Sequence, residues 1–203
     1  GACAACARGA HLFAPNAHRL DRSRCTACGG CAESCPAGAL EVIGRTASVD
    51  EVLETVLRDR VFYAQSGGGM TLSGGEPLMQ PDAAALLSKI RALGYAIKLD
   101  TNGSYPDRLA ALLDEGLIDY VAVDIKNRPE KYAETVGRPA LDLAPVRRTV
   151  DLLLSGAVDY EFRTTVTGRL HTPEDVGAAA KWIAGAKRYF LQPFKDSGDL
   201  VGA

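Results

Sequence analysis

Four cysteines stand in "CTACGGCAESCP", residues 25–36, as Cys25, Cys28, Cys31 and Cys35. Their spacing, C-x2-C-x2-C-x3-C-P, wraps successive thiolates around one compact [4Fe–4S] cube. Gly29 and Gly30 let the backbone turn close to such a core. Two more, Cys3 and Cys6, stand almost at the first residue, so all six cysteines fall within the first 35 residues. A disulfide framework would spread over the chain it staples, so the clustering reads as metal ligands in a reducing compartment. A zinc knuckle is the alternative reading, although zinc sites usually place a longer loop between their C-x2-C pairs.

Three polar motifs carry a second kind of chemistry. "SGGEP" (73–77), "DTNG" (100–103) and "DIK" (124–126) each follow a short apolar run. If those runs are parallel strands, their C-terminal ends lie at one edge, where α/β folds build ligand sites. Glu76, Asp100, Asp124 and Lys126 should then converge, and Arg163 in "YEFRTTV" and Gln192 in "FLQPF" are placed to join them. Any one motif alone reads equally well as turn chemistry, since Gly-Gly, Asn-Gly and Asp are common in turns. Three at the same structural position favour a site.

The elements that must position these residues follow from periodicity. From about residue 48, apolar runs alternate with amphipathic stretches. "SVDEVLETVLRD" sets Val49, Val52, Leu53, Val56 and Leu57 on one helical face, with Ser48 as N-cap and Glu51 three residues on. "GMTLSGGEP", a short strand ending in a glycine turn, "YAIKLDTNG", "DYVAVDIKN", "DYEFRTTV" and "KRYFLQPF" read as five strands. Helices over "PDAAALLSKIRALG", "YPDRLAALLDEG", "APVRRTVDLLLSG" and "TPEDVGAAAKWIAG" separate them. Strict alternation predicts a parallel sheet with right-handed crossovers. A sixth strand is expected upstream of Gly1, giving an α/β fold, a partial (β/α)6 TIM-like open barrel with a small ferredoxin-like insert. The expected division is 1–20 for a cluster loop, 21–45 for the iron–sulfur insert and 46–203 for the barrel core.

Net charge is −2 over 203 residues, which gives no basic field for nucleic acid or an anionic membrane. No apolar run approaches the roughly 18 residues of a membrane span. No secretory signal is visible, so the cytoplasm is the expected compartment. A start without Met points to a fragment. His11 and His18 flank the cysteines and read as solvated, and His171 reads as a residue of a helix-entry turn. Trp182 reads as core, and "VRRTVD" as a solvated helix face.

"GGGMTLSGGEPLMQPD", "KLDTNGSYPDRL" and "DYVAVDIKN" resemble the radical S-adenosylmethionine superfamily. Within it they resemble activating enzymes of glycyl-radical enzymes, of the pyruvate formate-lyase and anaerobic ribonucleotide reductase types. "AGALEV" after Pro36 resembles the segment that follows the last cysteine in ferredoxins. In two-cluster ferredoxins the fourth cysteine of such a run serves the other cluster. Only one run exists here, so all four are assigned to one auxiliary [4Fe–4S] cluster.

The resemblance implies a C-x3-C-x2-C signature whose three thiolates leave one iron open to S-adenosylmethionine. Cys3 and Cys6 match its last two cysteines, and the first would lie two positions before Gly1. As it stands the chain is expected to hold one stable cluster, the auxiliary one. Where the family often has Asn-Pro after the last cysteine, this sequence has "ARGAHLF". The resemblance further implies that Gly74 and Gly75 admit the methionine end of the cofactor and that Glu76 meets its amino group. Lys126 would meet its carboxylate and Arg163 would contact the cofactor too, with Asn102 in the same loop cluster. Asp100, Thr101 and Asp124 would hold a monovalent cation. Structural alternatives are a Lys126–Asp124 pair at the strand end and an Arg163 ion pair in the barrel core.

The implied activity is reductive cleavage of S-adenosylmethionine and hydrogen abstraction from a partner glycine. The implied partners are a glycyl-radical enzyme and a flavodoxin or ferredoxin reductant. A ferredoxin-like electron carrier on an inert scaffold is the rival, and it leaves the strand-end motifs without purpose. A radical enzyme acting on a small molecule is the third reading.

Overall fold

A computed structural model describes residues 6–15, 17–42 and 44–195. Cys3 lies outside the described residues. The chain divides into two compact units after Ser48.

In the second unit, β3 (Gly69–Leu72), β4 (Ala96–Thr101), β5 (Tyr120–Asp124), β6 (Asp159–Val166) and β7 (Tyr189–Pro193) form one parallel sheet in sequential order. The order never reverses, so every crossover steps the same way. Crossovers of one hand then lay the helices on one face of the sheet. This is the winding of a barrel segment, not of a doubly wound sheet. The crossovers carry α4 (Ala83–Ala92), α5 (Pro106–Asp114), α6 (Pro129–Thr135), α7 (Ala144–Leu154) and α8 (Pro173–Trp182). α2 (Val49–Leu57) and α3 (Arg60–Ser66) precede the sheet.

The two faces of the sheet differ in chemistry. Ile97 and Leu99 of β4, Val121 and Val123 of β5, and Tyr160 and Phe162 of β6 are buried in the core with Leu87, Ile90, Leu109 and Leu153. Each fully buried aliphatic side chain contributes about 1.5–3 kcal/mol. Strand residues alternate between faces, so the opposite face of the same strands carries Lys98 and Asp100, Tyr120, Ala122 and Asp124, and Glu161 and Arg163. A glycine sets the sheet edge: a Cβ on Gly69 would lie 1.8 Å from the Ala96 carbonyl oxygen, so β3 pairs with β4 only because residue 69 has none.

α8 opens with a capping box. Thr172 Oγ1 accepts from Asp175 N–H (3.2 Å), and Asp175 Oδ2 accepts from Thr172 N–H (3.0 Å). Arg128 and Lys131 both reach Asp175 at 2.8 Å, which is 2% exposed. The hydrogen bond from Lys131, then the Thr172 amide, hold its carboxyl well below the usual carboxylate range. The reading of "VRRTVD" as a solvated face holds only for its charged residues: Arg147, Arg148 and Asp151 are exposed, with Arg148 paired to Asp107 of α5, while Val146, Thr149 and Val150 are buried against the core.

The first unit contains a hairpin, β1 (His11–Ala14) with β2 (Ala17–Leu20), and one helical turn, α1 (Gly30–Glu33). Sequence periodicity gave no sign of the hairpin. It corrects the reading of two histidines as merely solvated. Phe13 and His18 face each other in register, His11 Nδ1 lies 2.8 Å from His18 Nε2, and the three rings stack.

Candidate functional site

The turn after β3 is built from Gly74 and Gly75 at φ 97° and 60°, a left-handed conformation that glycine adopts readily. It delivers Glu76, which is 8% exposed. One carboxylate oxygen accepts from Leu78 N–H (3.1 Å) and caps the 3-10 turn Pro77–Met79. The other accepts from Asn102 N–H (2.7 Å), and Thr101 Oγ1 donates to the carboxylate at 2.9 Å. Glu76 therefore clamps the turn after β3 to the end of β4. The carboxylate that the resemblance assigns to a ligand's amino group accepts from three protein donors. Thr101, read as a cation ligand, turns its hydroxyl to Glu76. The Asn102 amide oxygen closes a turn by accepting from Ser104 N–H at 2.9 Å.

Asp100, Asp124, Lys126 and Arg163 do converge. Arg163 NH1 donates to Asp100 Oδ2 (3.2 Å) and Nε to Asp124 Oδ1 (3.1 Å). Lys126 Nζ donates to Asp124 Oδ2 at 2.9 Å, and Ser73 Oγ donates to Asp100 Oδ2 at 3.4 Å. The Arg163 and Asp100 side chains are 16% and 17% exposed. Burial works against the Arg163 charge, but the Asp124 and Asp100 carboxylates outweigh it and hold its pKa above the ordinary arginine value. Both structural alternatives foreseen for Lys126 and Arg163 are thus realised in the ligand-free chain. Asp100 Oδ1 is buried with no hydrogen-bond donor among the described residues, so an acceptor remains open in the cluster. Gln192 is exposed on β7, opposite Thr165, and the described contacts do not bring it to the cluster.

His171 was read only as a helix-entry residue, yet it braces the loop that carries Lys126. Its Nε2–H donates to the Lys126 carbonyl (2.8 Å) and its Nδ1 accepts from Thr167 N–H (3.2 Å), which fixes the tautomer. Thr164 Oγ1 also holds this loop by donating to the Ile125 carbonyl at 2.6 Å. Fully buried Asn127 adds its amide bonds to Thr135 Oγ1 and the Leu170 carbonyl.

In the first unit, the backbone amides of Ala10, Arg8 and Gly9 point to the Cys6 thiol and, with the Arg24 charge, lower its pKa. Cys35 Sγ accepts from Ala39 N–H (3.3 Å), and Cys25 Sγ accepts from Ala27 N–H (3.4 Å). Amides of Ala39 and then Ala37 lower the Cys35 pKa. Among the described residues no three His, Cys, Asp or Glu side chains converge on a single metal ion. Amide donors at the sulfurs of Cys25 and Cys35 suit thiolates that bind iron, which a cube takes one to each iron.

A parallel sheet wound in one direction, with a Gly-Gly-Glu turn after its first strand and charged side chains at the following strand ends, is an α/β fold with polar groups where such folds build ligand sites. The model of the Radical SAM superfamily matches residues 2–183, and the chain belongs to that superfamily. Membership implies a [4Fe–4S] cluster and S-adenosylmethionine. The chain is 39% identical to an isethionate sulfite-lyase activating enzyme of Oleidesulfovibrio alaskensis over 88% of its own length and 59% of the relative's. It is 41% identical to the pyruvate formate-lyase 2-activating enzyme of Escherichia coli over 50% of its length and 38% of that protein's. It thus spans roughly 40–60% of these relatives. A solved domain of a pyruvate formate-lyase-activating enzyme from Bacteroides vulgatus shares the fold, with TM-score 0.54, 18% identity, and coverage of 64% of this chain and 83% of that one. No described helix is long and apolar enough to cross a membrane.

Proposed function

We propose that the chain is the core of an enzyme that activates a glycyl-radical enzyme. The cluster would supply the electron for reductive cleavage of S-adenosylmethionine, and the cofactor the means of hydrogen abstraction from a partner glycine. The supporting observation is the charged cluster that Asp100, Asp124, Lys126 and Arg163 form from three strands and a loop. A free amino acid end carries one ammonium and one carboxylate. The open Asp100 Oδ1 offers an acceptor to the first, and Arg163 with Lys126 offers cations to the second. Gly74 and Gly75 leave room beside them, since a Cβ on either would meet nothing within 4 Å. Glu76, Thr101 and Asn102 set the shape of the pocket wall.

Cys6, with Cys3 and a third thiolate, would hold the cluster that meets S-adenosylmethionine. Its amide donors stabilise the thiolate form that binds iron. Cys25, Cys28, Cys31 and Cys35 would hold an auxiliary [4Fe–4S] cluster that relays electrons from a flavodoxin or ferredoxin. Thiolate iron chemistry of this kind belongs in the reducing cytoplasm.

The test is anaerobic. Full-length protein, reconstituted with iron and sulfide and reduced with dithionite, is expected to release methionine and 5′-deoxyadenosine. With isethionate sulfite-lyase or pyruvate formate-lyase added, a glycyl EPR doublet should appear. Cleavage without any doublet across such partners would favour a small-molecule substrate. No cleavage at all would leave an electron carrier.

A further inference from the structure

Two further charged residues complete a closed circuit with Asp100 and Arg163. Lys98 lies two residues before Asp100 on β4, and Glu161 lies two before Arg163 on β6, so each shares a face with its successor. Lys98 Nζ lies 3.6 Å from Asp100 Oδ1 and 3.4 Å from Glu161 Oε1. Arg163 NH1 lies 3.2 Å from Asp100 Oδ2 and 4.0 Å from Glu161 Oε1. The four side chains form a ring of alternating sign: Asp100, Arg163, Glu161, Lys98. β4 and β6 are not neighbours, because β5 runs between them. The ring closes across β5 at Ala122, which is in register with Asp100 on one side and Glu161 on the other. A methyl group there keeps the space between the two carboxylates narrow enough for both cations to span it. Tyr120 Oη donates to Glu161 Oε2 at 2.9 Å, and Arg188 NH1 donates to Tyr120 Oη at 3.1 Å, so the ring's inner corner is itself held.

We infer that Lys98 and Glu161 are positioning residues whose task is to fix the Arg163 guanidinium and the Asp100 carboxylate for the ligand they meet. This rests on the proposed binding of S-adenosylmethionine at that cluster. Arg163 must present its remaining N–H donors to a ligand while Nε and NH2 stay on Asp124 Oδ1. Glu161 Oε1, 4.0 Å from NH1, adds a second negative charge beside Asp100 that draws the guanidinium to this corner. Lys98 holds Asp100 Oδ1, the open acceptor, by charge at a distance longer than a hydrogen bond. That oxygen is thereby oriented without being consumed.

Alternation of sign separates this role from that of an ordinary strand-to-strand ion pair. In K98E/E161K the two exchanged groups can still pair with each other, but each then stands beside a like charge, at Asp100 or at Arg163. A merely structural pair would be rescued by the exchange.

The experiment uses the full-length reconstituted protein and measures equilibrium binding of S-adenosylmethionine and steady-state cleavage for wild type, K98M/E161Q and K98E/E161K. The same variants are melted without cluster or ligand. The expected result is a Kd raised about tenfold in K98M/E161Q, with a smaller change in kcat than in KM, and a further loss of at least tenfold in K98E/E161K. The ligand-free melting temperature should be lower for the exchange than for the neutral pair. An exchange variant that regains wild-type affinity and melting temperature overturns the inference, as does a neutral pair that binds like wild type. If K98E/E161K does not fold, K98M/E161Q alone decides by its affinity. Failure of the wild type itself to bind or cleave S-adenosylmethionine would instead refute the proposed function.

Discussion

Replacing Glu76 by glutamine is expected to destabilise the ligand-free chain. Each carboxylate oxygen faces a backbone N–H, from Leu78 at 3.1 Å and from Asn102 at 2.7 Å, and the Thr101 hydroxyl donates to both. An amide can present an oxygen to only one of the two N–H groups. Its NH2 then confronts the other, donor against donor. A hydrogen bond to a charged acceptor is worth about 1.5–3 kcal/mol, and leaving a buried donor unpaired costs about 1–3 kcal/mol. These two costs overlap, because the amide keeps one set of bonds and the loop can shift. The expected net loss is about 3 kcal/mol. For a chain of 203 residues that lowers the melting temperature by roughly 6–12 °C. The assay is thermal denaturation by circular dichroism, anaerobic and without added iron or S-adenosylmethionine. E76D, one methylene shorter, should recover little, because it cannot span both loops. A carboxylate that served only a ligand would move the ligand-free stability by no more than about 0.5 kcal/mol. A melting temperature within about 2 °C of wild type would therefore refute the clamp between the β3 turn and the end of β4.

Three other changes test the scaffold. G69A sets a Cβ 1.8 Å from the Ala96 carbonyl oxygen, so the variant should lose on the order of 4 kcal/mol or more and be recovered mostly insoluble. H171A strips partners from the Lys126 carbonyl and the Thr167 N–H and should cost about 3 kcal/mol in urea denaturation; H171Q can donate to one and accept from the other, and should recover most of the loss. The Asp175 carboxyl is depressed in the folded chain, so its stabilisation is present above the ordinary carboxylate pKa of about 3.9 and is lost as pH falls below it. Melting of wild type from pH 7 downward should therefore steepen near pH 4 and below, and D175N should start lower at pH 7 and show a flatter acid limb.

The barrel segment was legible because its signals are local. Apolar runs ending in Asp100 or Asp124, and helices ended by Gly94, Gly116 or Gly156, mark each βα unit in a short window. The convergence of Asp100, Asp124, Lys126 and Arg163 followed from one topological rule about strand ends. What the residues do to one another did not follow. Glu76 and Thr101 satisfy each other because two turns approach closely, which is a tertiary fact. His171 gave no pattern, since its partners are carbonyl and amide groups with no side-chain signature. The alternation in "KLD" and "YEFR" did carry a signal that went unread. Strands of a parallel sheet covered on both faces should be almost wholly apolar, and charges at every second position show that one face is not. The hairpin His11–Leu20 was hidden because its strands expose nearly every side chain and so show no alternation.

The alternating ring also bears on how the chain finds its fold. Side chains change face with every residue along a strand, so slipping β6 by one position against β5 would turn Phe162 and Thr164 to the charged side and bury Glu161 and Arg163 under the helices. Asp100 and Lys98 would then be stranded opposite a phenyl ring. The circuit closes in one pairing of three strands, so a one-residue slip is penalised by unneutralised charge as well as by lost burial.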